Sequence, residues 1–218
     1  MSTATPLAKR RPSRGARFAV EAAALLALLV AMALSVHVVK IGSSVDSQSQ
    51  AFEPQAYGKT QFPKTRAAIE HRAVNADTLA AAIAKDADAA GKQYGVAGDG
   101  AGPEMAVKFT GVVGKEESGV YEVKVPNLPD SLVIRVQTGP AINGTDLRDA
   151  TGDIDFGRFT NQIDYQNAGY AINEAMKHEV LSKVDTTRLT GKTISIIGAF
   201  QLVNPNGWLV TPVSLEVK

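Results

Sequence analysis

The 218-residue chain contains no cysteine. That absence excludes a disulfide framework, a thiolate metal site, a cysteine nucleophile and the acceptor for a lipid anchor. Histidine is nearly absent too. Its three copies, His37, His71 and His178, stand too far apart in sequence to suggest a metal set. His37 reads as an interfacial residue, and His71 and His178 as residues on helix surfaces. There is no Gly-x-Ser-x-Gly elbow. Gly191-Lys192-Thr193 is not a phosphate loop, because Thr186 stands where such a loop needs its first glycine. No cofactor motif is present.

Charge excess is also missing, since the formal net charge is only +1. It is unevenly spread. Lys9, Arg10, Arg11, Arg14 and Arg17 precede any acid, and the remainder carries 18 basic against 22 acidic groups, a balance of −4. A mildly acidic body is a poor binder of phosphate backbones, so nucleic acid is not an expected partner.

Residues 22–39, AAALLALLVAMALSVHVV, form an 18-residue run without acid, lysine or arginine. Such a run predicts a transmembrane helix at the short end of what spans a bilayer. The basic residues before it predict a cytoplasmic tail over 1–21 and a periplasmic remainder, a single-pass inner-membrane topology. The alternative is a cleaved signal peptide, with Ala31-Met32-Ala33 resembling a cleavage site.

Residues 40–104 read as a tether, DSQSQA at 46–51, followed by accessory helices. Pro63 suggests a helix start over 64–73. Asp77 suggests an N-cap for a second helix over 78–90, ended by Gly91. The glycine-rich GVAGDGAGP at 95–103 lacks a following helix and reads as a loop.

Residues 105–218 alternate as strands over 105–113, 120–125 and 132–137, then 192–200 and 208–217. Gly111 and Pro212 mark bulges or edge positions. Between the third and fourth strands, Asn161, Tyr165, Ala168, Ile172, Ala175, Met176 and Val180 recur at helical spacing. Three strands, a helix and two strands is the order of an oligonucleotide/oligosaccharide-binding (OB) fold. The predicted class is α+β, mainly β: an OB-like five-stranded barrel with a helix between strands three and four. Short helices and the transmembrane helix precede it. An α+β sandwich of the same elements is the alternative.

The polar run over 137–170, QTGPAINGTDLRDATGDIDFGRFTNQIDYQNAGY, is the candidate site. Planar amides and carboxylates give and accept hydrogen bonds in fixed directions, which sugars and protein partners both require. Asp146, Arg148, Asp149, Gln162 and Gln166 are the candidate binding residues. Asn143, Asn161, Tyr165 and Asn167 are read as structural polar groups of a loop and helix start. Asp149, Asp153, Asp155 and Asp164 could supply the carboxylate pair of an envelope glycan hydrolase. Asp153-Ile154-Asp155 echoes a calcium loop but lacks its glutamate, so no metal is expected.

The motifs RVQTGPAINGTDLRDATG, FGRFTNQIDYQNAG and NPNGWLVTPVSLEV, with KIGS after the apolar run, resemble a bacterial family of unknown function. That family is described as predicted periplasmic lipoproteins. The resemblance covers nearly the whole chain. It implies an exported, membrane-attached protein whose genes often neighbour those of sugar ABC transporters. The inner membrane and transporter components are therefore the implied partners. It assigns no catalytic or ligand residue. The combined expectation is a non-enzymatic binding or accessory protein, with the hydrolase as alternative.

Overall fold

The computed structural model describes residues 14–35, 52–97 and 101–218. Lys9–Arg11, His37, the KIGS segment, the tether over 46–51 and the centre of the glycine loop lie outside these residues. The chain divides into two units, Met1–Ala51 and Phe52–Lys218.

In the first unit, α1 spans Arg14–Ser35. The sequence places Arg14, Arg17 and Glu21 in its first two turns, which leaves 14 uncharged residues over 22–35. At about 1.5 Å per residue they reach about 21 Å, short of the roughly 30 Å of a bilayer core. No helix among the described residues is long and apolar enough to cross a membrane. The expected transmembrane anchor over 22–39 is thereby corrected, and the single-pass topology with it. Residues 36–39 of that run lie outside the described residues.

The second unit opens with α2 (Pro54–Arg72). Pro63 does not start this helix. It lies inside, on the exposed side, while Phe62, Thr65 and Ile69 are fully buried. A short strand β1 (Val74–Asn75) leads to α3 (Ala76–Lys85) and α4 (Ala87–Tyr94). These replace the single helix expected over 78–90. The division falls at Asp86, whose Oδ1 accepts the Ala89 amide at 2.9 Å and so caps α4. A two-residue β2 (Gly95–Val96) precedes the main sheet.

The sheet is built from β3 (Glu104–Glu117), β4 (Val120–Lys124), β5 (Val133–Gln137), β6 (Thr193–Gln201) and β7 (Gly207–Val217). Its path runs β3-β4-β5-β7-β6 and returns to β3 through nine antiparallel pairs from Glu104↔Gln201 to Val112↔Thr193. Only β5 and β7 run parallel within that circuit. The one-turn helix α5 (Asp146–Asp149) and the longer α6 (Gln162–Glu179) lie between β5 and β6, as the strand order predicts.

The alternating residues fill the interior. Val107, Phe109, Val113, Tyr121, Val123, Ile134, Val136, Ile194, Ile196 and Phe200 are buried. Trp208 stacks on Phe200 with centroids 4.7 Å apart and donates Nε1 to the Pro205 carbonyl at 3.1 Å. At the expected bulge, Ile197 pairs with Ser214 but Gly198 pairs with Pro212, so Val213 is the extra residue. Inward positions therefore change parity along β7, from Trp208 and Val210 to Val213 and Leu215.

Helix α6 closes one side of this core through Tyr165, Ala168, Ile172 and Met176. Helix α2 packs across it. Gly58 meets the Ala171 backbone so closely that a Cβ would run into the carbonyl oxygen. The helix is thus part of the core's wall, not a loose accessory.

Candidate functional site

The segment from Gln137 to α5 is tied down from within. Gln137 is 1% exposed. Its Oε1 accepts the Asn143 amide at 2.9 Å, and its Nε2 donates to the Asn143 carbonyl at 2.9 Å and to Thr211 Oγ1 at 2.8 Å. The Thr211 hydroxyl in turn donates a hydrogen bond to Asp146 Oδ2 at 2.8 Å. Asn173 of α6 donates to the Gly144 carbonyl at 3.0 Å. One side chain from each of β5, β7 and α6 therefore fixes the loop in a single geometry.

The result is a cleft of about 370 Å³ lined by Asn143, Gly144, Asp146, Gln201, Val203, Asn204, Gly207 and Leu209. It lies at the small end of ligand pockets, which run from roughly 300 to 1,000 Å³. It brings the INGTD stretch of the central run against the β6–β7 turn, LVNPNG. A wider hollow of about 780 Å³ near α4 is lined mainly by alanine, glycine and proline, with Asp88 and Lys92 as its ionic groups. It offers few directional contacts.

One lining residue, Gln201, is hydrogen-bonded to a buried acid outside the lining. Gln201 donates to Glu104 Oε1 at 3.0 Å, while Glu104 Oε2 is buried without a hydrogen-bond partner. Burial, and then the neighbouring Asp146, push the Glu104 carboxyl up to about 8. Burial likewise raises Asp146 to about 6, with the Thr211 hydroxyl pulling it down and Asp149 pushing it up. Acids without a nearby counter-charge behave this way, because the charged form is the one that desolvation penalises.

The predicted binding residues separate into three places. Asp146 lines the cleft. Arg148 and Asp149, expected to be exposed, are each only 5% exposed. Arg148 reaches Asp149 through two bonds, Nε to Oδ1 at 2.6 Å and Nη2 to Oδ2 at 3.0 Å. Its guanidinium lies 3.7 Å from the centroid of the Tyr165 ring, and Thr145 caps Asp149 Oδ2 at 2.7 Å. This is a structural ion pair, held too deep to meet a ligand. Gln162 and Gln166 are exposed on α6 and do not line the cleft.

Among the residues read as structural, Asn161 is the N-cap of α6, accepting the Asp164 amide at 2.9 Å. Tyr165 is buried and packs against Phe156 and Phe159. Asn143 contributes its backbone to Gln137 and an exposed side chain to the cleft rim. Asn167 lies half-buried on α6. His71 and His178 are both exposed, and among the described residues no group of three histidine or acidic side chains is arranged to hold a metal.

Nothing observed supports the hydrolase alternative, whose four aspartates are separately engaged or exposed. Asp149 is engaged by Arg148, and Asp164 accepts from Asn161 Nδ2 at 2.9 Å. Asp155 faces Arg158 at 3.6 Å on the surface, and Asp153 is exposed. Glu104, Gln201 and Asn204 were not singled out by sequence. The strong NPNG turn signal was the one pointer to Asn204.

The family described as "Predicted periplasmic lipoprotein (DUF2291)" matches residues 25–216. The chain belongs to this family. The description names attachment by lipid, which replaces the membrane-spanning topology expected from residues 22–39, although these 218 residues hold no cysteine to accept a lipid. No function accompanies the family. Among solved structures, an OB-fold protein from Thermotoga maritima is similar at a TM-score of 0.62 and 18% identity. The match covers 78% of this chain and all of that one. At that identity the likeness shows the fold alone, and it agrees with the strand order and the helix position described above. No curated protein matches the chain.

Proposed function

We propose that this member of the family is a non-enzymatic binding module that takes a small, hydroxyl-bearing ligand in the cleft between the INGTD loop and the β6–β7 turn. The observation that carries this reading is the held geometry of the cleft. Gln137, Thr211 and Asn173 fix the loop and Asp146 from behind, Gln201 is held by its bond to Glu104, and Asn204 Oδ1 accepts the Asn206 amide, so these side chains meet a ligand already oriented. Groups ordered before binding need not lose that freedom on binding, which favours affinity. We read the closed strand path as the five-stranded barrel of an OB fold. In such a barrel the cleft opens where the connection after β5 meets the β6–β7 turn. An accessory role beside a sugar ABC transporter is consistent with a sugar-sized ligand, and it rests on the family resemblance.

The test is thermal unfolding of the full chain against neutral monosaccharides, amino sugars and small polyols. Binding at the cleft raises the melting temperature, and Asn204→Ala removes the rise. No shift with any of these compounds would defeat the reading.

A further inference from the structure

Three carboxyl groups, those of Glu104, Asp146 and Asp149, influence one another beneath and beside the cleft. One cation, Arg148, acts on this group. It is already spent, because it makes a two-point pair with Asp149 and lies on the Tyr165 ring. Glu104 and Asp146 are left with neutral donors only, Gln201 for the first and Thr211 for the second. One oxygen of Glu104, a residue 1% exposed, has no hydrogen-bond partner among the described residues. A buried carboxyl in this state is unusual, since buried polar groups are hydrogen-bonded as a rule.

The cleft itself supplies no counter-charge. None of its lining residues is lysine, arginine or histidine. Beside Asp146 stands Gly144, at φ +89°, and a Cβ placed there would lie 3.5 Å from Asp146 Oδ1. The wall next to this carboxyl is thereby free of side-chain bulk. The other polar side chains of the lining, Asn143, Gln201 and Asn204, present amides that accept as well as donate.

We infer that the ligand of the cleft carries a positive charge, an organic ammonium group seated on Asp146, with hydroxyls meeting the surrounding amides. This rests on the cleft being a binding site and narrows its ligand to hydroxylated amines, amino sugars among them. A metal ion fits less well, because no suitable group of three ligating side chains occurs among the described residues. Burial raises both carboxyls, and among the described residues no cation pairs with either to offset it. A bound ammonium supplies that cation, so binding expels the proton that either carboxyl still holds. The groups facing them are Asp149 and Arg148 from α5, Gln201 from β6 and Thr211 from β7.

The probes are matched pairs titrated into the full chain by calorimetry. Glucosamine is set against glucose and N-acetylglucosamine, and ethanolamine against ethylene glycol. The amines bind and their neutral counterparts do not. Affinity for glucosamine rises about tenfold from pH 5 to pH 7 as Asp146, near 6, ionises. Asp146→Asn abolishes it while circular dichroism shows an unchanged fold. If that variant does not fold, the pH profile with the natural chain decides. Neutral sugars binding as tightly as the amines would overturn the inference and leave the binding reading intact. Failure of every probe, charged and neutral, would overturn both.

Discussion

A Glu104→Gln chain should be more stable than the natural one at neutral pH and no more stable at pH 4. Glu104 begins β3, its side chain is buried, and its carboxyl is held at about 8 against an ordinary 4.5. Between those two values the folded chain keeps a proton that the unfolded chain has released. Stability then falls as pH rises, by about 1.4 kcal/mol per unit for one proton. From pH 4.5 to pH 7 the natural chain loses about 3 kcal/mol on this account. Glutamine carries no titrating proton and retains a carbonyl oxygen to accept from Gln201. Its advantage should thus be near zero at pH 4 and about 3 kcal/mol at pH 7, rising further towards pH 8. Asp146 titrates in both chains and cancels to first order in the difference. Urea unfolding can be followed by the fluorescence of Trp208, the sole tryptophan, which is fully buried against Phe200. Runs at unit intervals from pH 4 to pH 8 give the difference directly. A constant difference across that range, or a glutamine chain less stable at pH 7, would refute the reasoning.

Two further substitutions test the packing around the site. Arg148→Met strands a buried Asp149 with Thr145 as its remaining side-chain donor, and should cost about 3–5 kcal/mol in urea unfolding. The double change Arg148→Met with Asp149→Leu should recover most of that loss, and no recovery would mean that more than the ion pair was broken. Gly58→Ala pushes α2 off the Ala171 carbonyl and should cost about 1–3 kcal/mol in denaturation experiments, with the cleft's ligand affinity unchanged.

What the sequence made legible is what periodicity encodes. Helix α6 was readable from its spacing of three and four, because Tyr165, Ala168, Ile172 and Met176 all face the core. The five main strands were readable from alternation, and their order around α6 suggested the fold. Helix α2 was misread because its buried face carries Gly58 and Thr65 beside Phe62 and Ile69, which breaks the apolar stripe that marks a helix. The membrane-spanning reading rested on apolar length alone, and it gives way to the family's description as lipoproteins and to a described helix not long and apolar enough to cross a membrane.

The candidate site was harder for a different reason. Arg148 and Asp149 look like surface charges in a polar loop, and only their mutual two-point contact under Tyr165 makes burial tolerable. Glu104 shares strand parity with Lys108 and Thr110, both exposed, so alternation places it outside. Yet residues 104–107 are buried on both faces, because β1 and β2 pair with β3 and α3 and α4 pack there. Local pattern cannot report a cover supplied by distant segments. Polarity and density singled out Asp146, which lines the cleft, and equally Gln162 and Gln166, which lie on an open helix face.

The extra residue at Val213 has a consequence for how this strand can change length. Trp208 and Val210 point inward on one side of it, and Val213 and Leu215 on the other. Removing Pro212 alone leaves Val213 and Leu215 in step with Trp208 and Val210, so a regular strand without the bulge keeps all four inward. Removing two residues there puts the halves out of step again, and one half must turn its apolar side chains outward. A one-residue deletion at the bulge should therefore be better tolerated than a two-residue one, a directional constraint that scanning substitutions alone would never reveal.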